Sequence, residues 1–165
     1  MPTRRQPPAP DPALTRQVDA VMTAARVLMA AVASSVAEVE DRVSLPQLRV
    51  LVMLDTHGPL NLVAVADALG VHPSNATRAV ERLVVAGLVD RRDVPTDRRN
   101  VSLTLTTRGQ ALVDSVFAHR RAVIERVLDR MPESKRRALP SALESFATAA
   151  DDVFETHAGQ PQWAH

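Results

Sequence analysis

The sequence predicts a mainly α-helical protein with one small β wing, and three observations carry that expectation. Apolar residues recur at steps of three and four along stretches near both ends of the chain, the period of an amphipathic helix. Between them, short apolar-patterned stretches are punctuated by Gly58-Pro59, Gly70 and Gly87, residues that stop compact helices. Then Val101, Leu103 and Leu105 alternate with Ser102, Thr104 and Thr106, the period of two of a half-buried strand. The pattern is that of a winged helix-turn-helix lobe over residues 44–106. Helical stretches at 13–43 and 107–158 flank it and form a dimerisation region.

In chain order, residues 1–12 hold five prolines with Arg4 and Arg5 and read as a flexible tail. From Ala13 to Glu40, Val18, Val21, Met22, Ala25, Leu28, Met29, Val32, Val36 and Val39 form one apolar stripe of a long helix. Such a stripe needs a cover. Ser44-Leu45-Pro46-Gln47 has the Ser-to-Gln spacing of a capping box with a proline in the first turn. Leu48, Val50, Leu51, Val52 and Leu54 make the helix that follows largely buried. Asn61 caps a third helix, Leu62 to Leu69, closed by Gly70. A fourth opens at His72-Pro73-Ser74 and ends at Gly87, so two helices meet across a tight turn at helix-turn-helix spacing.

Val89 to Asp93 and Asn100 to Thr106 are expected to be the two strands of a hairpin around a charged tip, Pro95-Thr96-Asp97-Arg98-Arg99. Thr107 to Gln110 has capping-box spacing and opens a long helix to Met131. After Pro132-Glu133 a last helix carries Leu139, Leu143, Phe146, Ala150 and Val153 at alternating steps of four and three, a seam for packing on a partner. Pro140 should kink it or delay its regular start. Residues 159–165 are expected to fray.

The bulk numbers narrow the function. A length of 165 residues fits one domain or one protomer of an intertwined dimer. An aromatic share of 2% leaves little for a platform that stacks single-stranded bases. Net charge is only +1, so affinity for nucleic acid must come from local clustering. Between His72 and Arg108, seven arginines against four carboxylates supply it. Cysteine is absent, which excludes disulfides, thiolate chemistry and Cys-bearing zinc sites. His57, His72, His119, His157 and His165 show no metal-ligand spacing, and there is no Gly-rich phosphate loop or nucleophile motif. No cofactor, metal or catalytic residue is expected, and the chain is not read as an enzyme. No apolar run approaches the roughly 20 residues of a membrane span, and no signal peptide is evident; the expected location is the cytoplasm.

These residues bring out a family. Ser44 to Leu51, Gly58-Pro59-Leu60, Val65 to Val71, Thr77 to Leu83, Gly87 to Arg91, Asp97-Arg98-Arg99 and Leu103 to Gly109 stand in order and at short spacing. In them the chain resembles the MarR family of bacterial winged helix-turn-helix regulators, while the terminal helices match in pattern and length only. The resemblance implies a homodimer whose recognition helices enter adjacent major grooves and whose wings reach the flanking minor grooves. Its partner would be a pseudo-palindromic double-stranded operator, with a small-molecule effector that releases a repressor. It puts Ser74, Asn75, Thr77, Arg78 and Arg82 against the major groove or its phosphates. Arg91, Arg92 and Arg98 become phosphate contacts, and Asp97 orients Arg99 into the minor groove, whose A·T tracts concentrate negative potential. His72 departs from the Ser, Thr or Asp that often caps this helix, which leaves either a weaker cap there or Ser74 in its place.

Plainer roles compete with these. Asp97 and Arg99 could form a solvated turn, Arg78 could pair with Glu81 three residues on, and Arg82 could serve a structural salt bridge. His72 could be an exposed histidine, or a pH-dependent DNA contact. His57 could join a ligand pocket near the hinge between lobes or lie on the surface. The alternative to a DNA-binding regulator is a winged-helix protein-interaction module. Cationic and short polar side chains on the helix face and wing, in place of an apolar patch, favour DNA.

Overall fold

The structure, a computed structural model, describes residues 11–94 and 97–156, without the side chains of 93, 94, 97–100, 152 and 154–156. The elements are α1 (Pro12–Ala37), α2 (Leu45–His57), α3 (Leu62–Leu69), α4 (Pro73–Val85), β1 (Val89–Val94), β2 (Asp97–Leu105), α5 (Thr107–Asp129) and α6 (Glu133–Thr156). The mainly helical fold with a single small wing follows the sequence expectation. The tail up to residue 10, with Arg4 and Arg5, and the frayed end at 159–165 lie outside the described residues.

Helix α1 starts at Pro12, where the missing N–H of proline is harmless in a first turn, and Asp11 caps it by accepting from Ala13 N at 2.9 Å. It stops at Ala37, three residues before the expected Glu40. The turns that follow tuck Val39 and Val43 into the core. By length and composition alone α1 is apolar enough to cross a membrane, contrary to the expectation that no run comes near that length. Alanines between its larger apolar residues raise the mean hydropathy, while serines and threonines keep the run from being unbroken. Arg16, Asp19 and Arg26 interrupt it, and its inner face docks on α5.

That docking face is small and polar. Ala31 and Ser35 are the buried residues of α1. Ser35 Oγ donates to Val32 O at 2.7 Å and accepts from the Arg120 guanidinium at 3.4 Å, while Ser34 Oγ and His119 Nε2 are 2.8 Å apart. His119 Nδ1 lies 3.8 Å from the Glu38 carboxylate. The larger apolar residues of α1 point away: Val18, Val21, Met22, Leu28, Met29 and Val32 are exposed, Met29 to 70%. On α6, Leu143, Phe146 and Val153 are likewise exposed, and no described residue of that helix is buried. Pro140 lies inside α6 and does not end it.

One apolar core runs from Val39 through α2, α3, α4 and the hairpin to Leu112, Val113 and Val116 of α5. Strands β1 and β2 pair antiparallel, Val89 opposite Leu105 and Arg91 opposite Leu103, with an irregularity after Asp93. β2 begins at Asp97, so the ladder reaches further into the tip than expected. Pro95 and Thr96 lie outside the described residues. Leu60 adds a short bridge that the sequence reading missed, its N–H donating to Leu103 O at 3.2 Å and its carbonyl accepting from Leu103 N at 2.8 Å.

The start of α5 is capped one residue earlier than expected. Thr106, not Thr107, accepts from Gly109 N at 2.9 Å, and its hydroxyl donates to Gly87 O at 2.8 Å. Gln110 turns instead to Asp55 and Asp114. Thr106 thus ties the end of α4 to the start of α5. The backbones come so close there that a Cβ on Gly109 would overlap the Leu88 carbonyl oxygen.

Candidate nucleic-acid interface

Helix α4 forms because one side of its sequence is apolar and the other polar. Ala76, Val80 and Leu83 are buried and Val84 half-buried, the spacing of one face at 3.6 residues per turn. Ser74, Asn75, Arg78 and Arg82 are exposed. His72 is the cap itself: its Nδ1 accepts from Ser74 N at 3.4 Å and meets Ser74 Oγ at 3.0 Å. At its end Ala86 is αR, and Gly87, at φ +68°, takes the left-handed conformation that turns the chain into β1. Arg108 donates to Ala86 O at 3.2 Å, so this arginine of the basic cluster braces the end of the helix.

Two grooves flank the exposed ridge of α4. On the α2 side a groove of about 360 Å³ is lined by Ser44, Gln47 and Arg49 from α2 and its cap, and by Asn75, Arg78 and Arg82. On the wing side a groove of about 230 Å³ holds Asn61, Thr77, Glu81 and Arg91. The ridge therefore divides the expected site residues into two sets. Arg78 and Arg82 face away from the wing, and among the described residues neither forms an ion pair with Glu81 or any other carboxylate. Thr77 is half-buried, and its hydroxyl donates to Pro73 O at 2.8 Å. It is tied to its own helix.

The strand period also separates Arg91 from Arg92. Successive side chains on a strand point to opposite faces. Arg91, opposite the buried Leu103, lies on the face turned to α4 and lines the wing-side groove. Arg92, opposite Ser102, lies on the other face, 3.8 Å from Asp90 in an exposed pair of little energetic weight. The side chains of Asp97, Arg98 and Arg99 lie outside the described residues; their backbone belongs to β2 at the far end of the hairpin.

One residue of this face escaped the sequence reading. Arg49 belongs to a buried helix by pattern and was read as part of it, yet its side chain is exposed beside Arg78 and Arg82. Its place two residues after the Gln47 of the capping box, and one after the buried Leu48, was the available signal. Near the hinge, a cavity of about 230 Å³ between α1, α2 and α5 is lined by Val32, Leu48, Val52, Met53, His57 and Arg120, so His57 does reach a pocket. Among the described residues no group of three His, Asp or Glu side chains is placed to hold a metal.

Helix, tight turn, exposed basic helix and arginine-bearing hairpin define a winged helix-turn-helix protein of the class that regulates transcription. Comparisons narrow the class. Residues 43–101 match the sequence model of the MarR family. The chain is 32% identical over 105 residues to the HTH-type transcriptional repressor MdtR of Bacillus subtilis, covering 64% of this chain and 68% of that one. Among solved structures, RV1404 from Mycobacterium tuberculosis is 42% identical with a TM-score of 0.73, covering 87% of this chain and 98% of that one. Streptococcus pneumoniae FabT, solved in complex with DNA, shares the fold at 18% identity, with a TM-score of 0.60 over 84% of this chain and 99% of that one. The chain belongs to the MarR family of transcriptional regulators.

Proposed function

We propose that this protein is a homodimeric, sequence-specific repressor acting on chromosomal DNA in the cytoplasm. The observation that carries the proposal is the exposed side of α4. A helix anchored by Ala76, Val80 and Leu83 turns Ser74, Asn75, Arg78 and Arg82 outward, its arginines engaged by no carboxylate among the described residues. Short polar and guanidinium groups suit base edges and phosphates in a major groove. In this reading Arg91, Arg92 and Arg98 meet phosphates, Arg91 from the wing-side groove, and Asp97 holds Arg99 toward the minor groove. The DNA-binding lobe is 44–106, and 13–43 with 107–158 form the dimerisation region. A two-fold dimer would set its recognition helices one helical turn apart, about 34 Å, and read a pseudo-palindrome.

Release by a small molecule is assigned to the hinge cavity, whose apolar walls and His57 and Arg120 rim suit a small, partly polar effector. Such a ligand shifts the dimer only through different affinities for its two shapes. Fluorescence anisotropy on the DNA upstream of the protein's own gene, with a scrambled duplex as control, tests the proposal. Tight binding to the native duplex alone is expected. Absence of binding to either at low salt would overturn it in favour of a protein-interaction module.

A further inference from the structure

The groove on the α2 side of α4 carries an inference that rests on the DNA-binding reading and adds a contact to it. Its walls bring three arginines together, Arg49 from α2 with Arg78 and Arg82 from α4, and no carboxylate lines it. None of the three forms an ion pair among the described residues. Gln47 has its amide oxygen taken by Ser44 N at 2.8 Å and Ser44 Oγ at 2.9 Å, so what remains to it is a donor. The floor is apolar, formed by Pro46, Leu69, Val71 and Ala79. Three like charges over an apolar floor repel one another in the free protein, and an anion that entered would relieve the repulsion while accepting from guanidiniums suited to phosphate.

We propose that this groove seats one phosphodiester of the DNA backbone, with Arg49 as a DNA contact contributed by α2. The occupant is a backbone phosphate because two of the three cations belong to the recognition helix and the groove opens beside its exposed ridge. A phosphate held between α2 and α4 sets the depth and tilt of the recognition helix without reading sequence. Arg49 is therefore a positioning contact whose loss weakens all duplexes alike.

The test compares the wild-type protein with Arg49→Gln and Arg49→Lys on the upstream duplex and on its scrambled control, across a salt series. Circular dichroism melting checks that each variant folds. Arg49→Gln is expected to bind both duplexes about tenfold more weakly, the size of one charge-assisted hydrogen bond. It should also lower the log–log salt slope by about one unit per protomer. Arg49→Lys should keep the slope, because the charge remains. Unchanged affinity and slope in Arg49→Gln, with the wild type binding well, would overturn the seat and leave the regulator standing. A loss confined to the native duplex would overturn it too, since that would mean base reading. So would saturable binding of inorganic phosphate in the groove with the DNA slope untouched, which would make it a small-anion site. Failure of the wild type to bind any duplex would overturn the DNA-binding reading and the seat with it.

Discussion

Gly109 shows how one residue can be required by a neighbour far away in sequence. Its backbone lies against the Leu88 carbonyl, and the obstacle to any Cβ is main chain, which cannot rotate aside. Gly109→Ala is expected to destabilise the protein by about 1 to 3 kcal/mol or more, as overpacking does, read as a lower midpoint in urea. His72 is the opposite case, a residue that works but could be bettered. Its ring nitrogen accepts at 3.4 Å, a long bond for a cap. His72→Ser should raise stability by up to about 1 kcal/mol; a lower midpoint would show that the ring has a role beyond capping. Arg99 is assigned to the minor groove, and Arg99→Ala should lower DNA affinity by about 1 to 3 kcal/mol, the range of a good groove contact, with the melting curve unchanged. Equal affinities would remove the minor-groove role.

At the scale of elements, α4 was the most legible part of the chain. Its apolar residues stand at helical spacing, its polar ones are short or cationic, and Gly87 marks its end; all of this is local information. The structure kept each feature and changed what surrounds it. The ridge splits the polar side chains between two grooves, placing Arg78 and Arg82 beside Arg49 and Thr77 beside Arg91. No single-helix pattern holds that division, because it depends on α2 and β1 packing on either flank. Leu83 anchors the helix from below and is fully buried. Leu83→Ala should cost about 2 to 5 kcal/mol, lowering the urea midpoint and weakening DNA binding through loss of the folded lobe. The hairpin was legible through its alternation, whereas the Leu60 bridge was not, since one residue after Gly58-Pro59 carries no period.

Across the whole molecule, the terminal helices divide their surface unexpectedly. Only the end of the stripe that the sequence marks, Val36 and Val39, reaches the protomer's own core; α1 is otherwise held through Ala31, Ser34, Ser35 and the side chains of His119 and Arg120. The exposed stripe of α1 and the exposed Leu143, Phe146 and Val153 seam of α6 are apolar faces of the kind that mark an interface. On the dimer reading a second copy covers it. Sedimentation should find a dimer for the wild type, and Phe146→Glu, which buries a charge in that interface, should shift it toward monomer with the winged lobe still folded. A monomeric wild type at micromolar concentration would contradict the dimer.

The sequence by itself determined the order and type of the elements, the caps at Ser44 and Asn61, the turn at Gly87 and the polar side of the recognition helix. Those depend on periodicity and on backbone preferences acting within a few residues. Tertiary structure decided which face of α1 docks, why residue 109 must be glycine, which face of the wing Arg91 and Arg92 take, and that Arg49 joins the basic face. Each of these depends on two segments distant in sequence meeting in space. A local pattern can say that a side chain is polar and exposed, but not what stands across the groove from it.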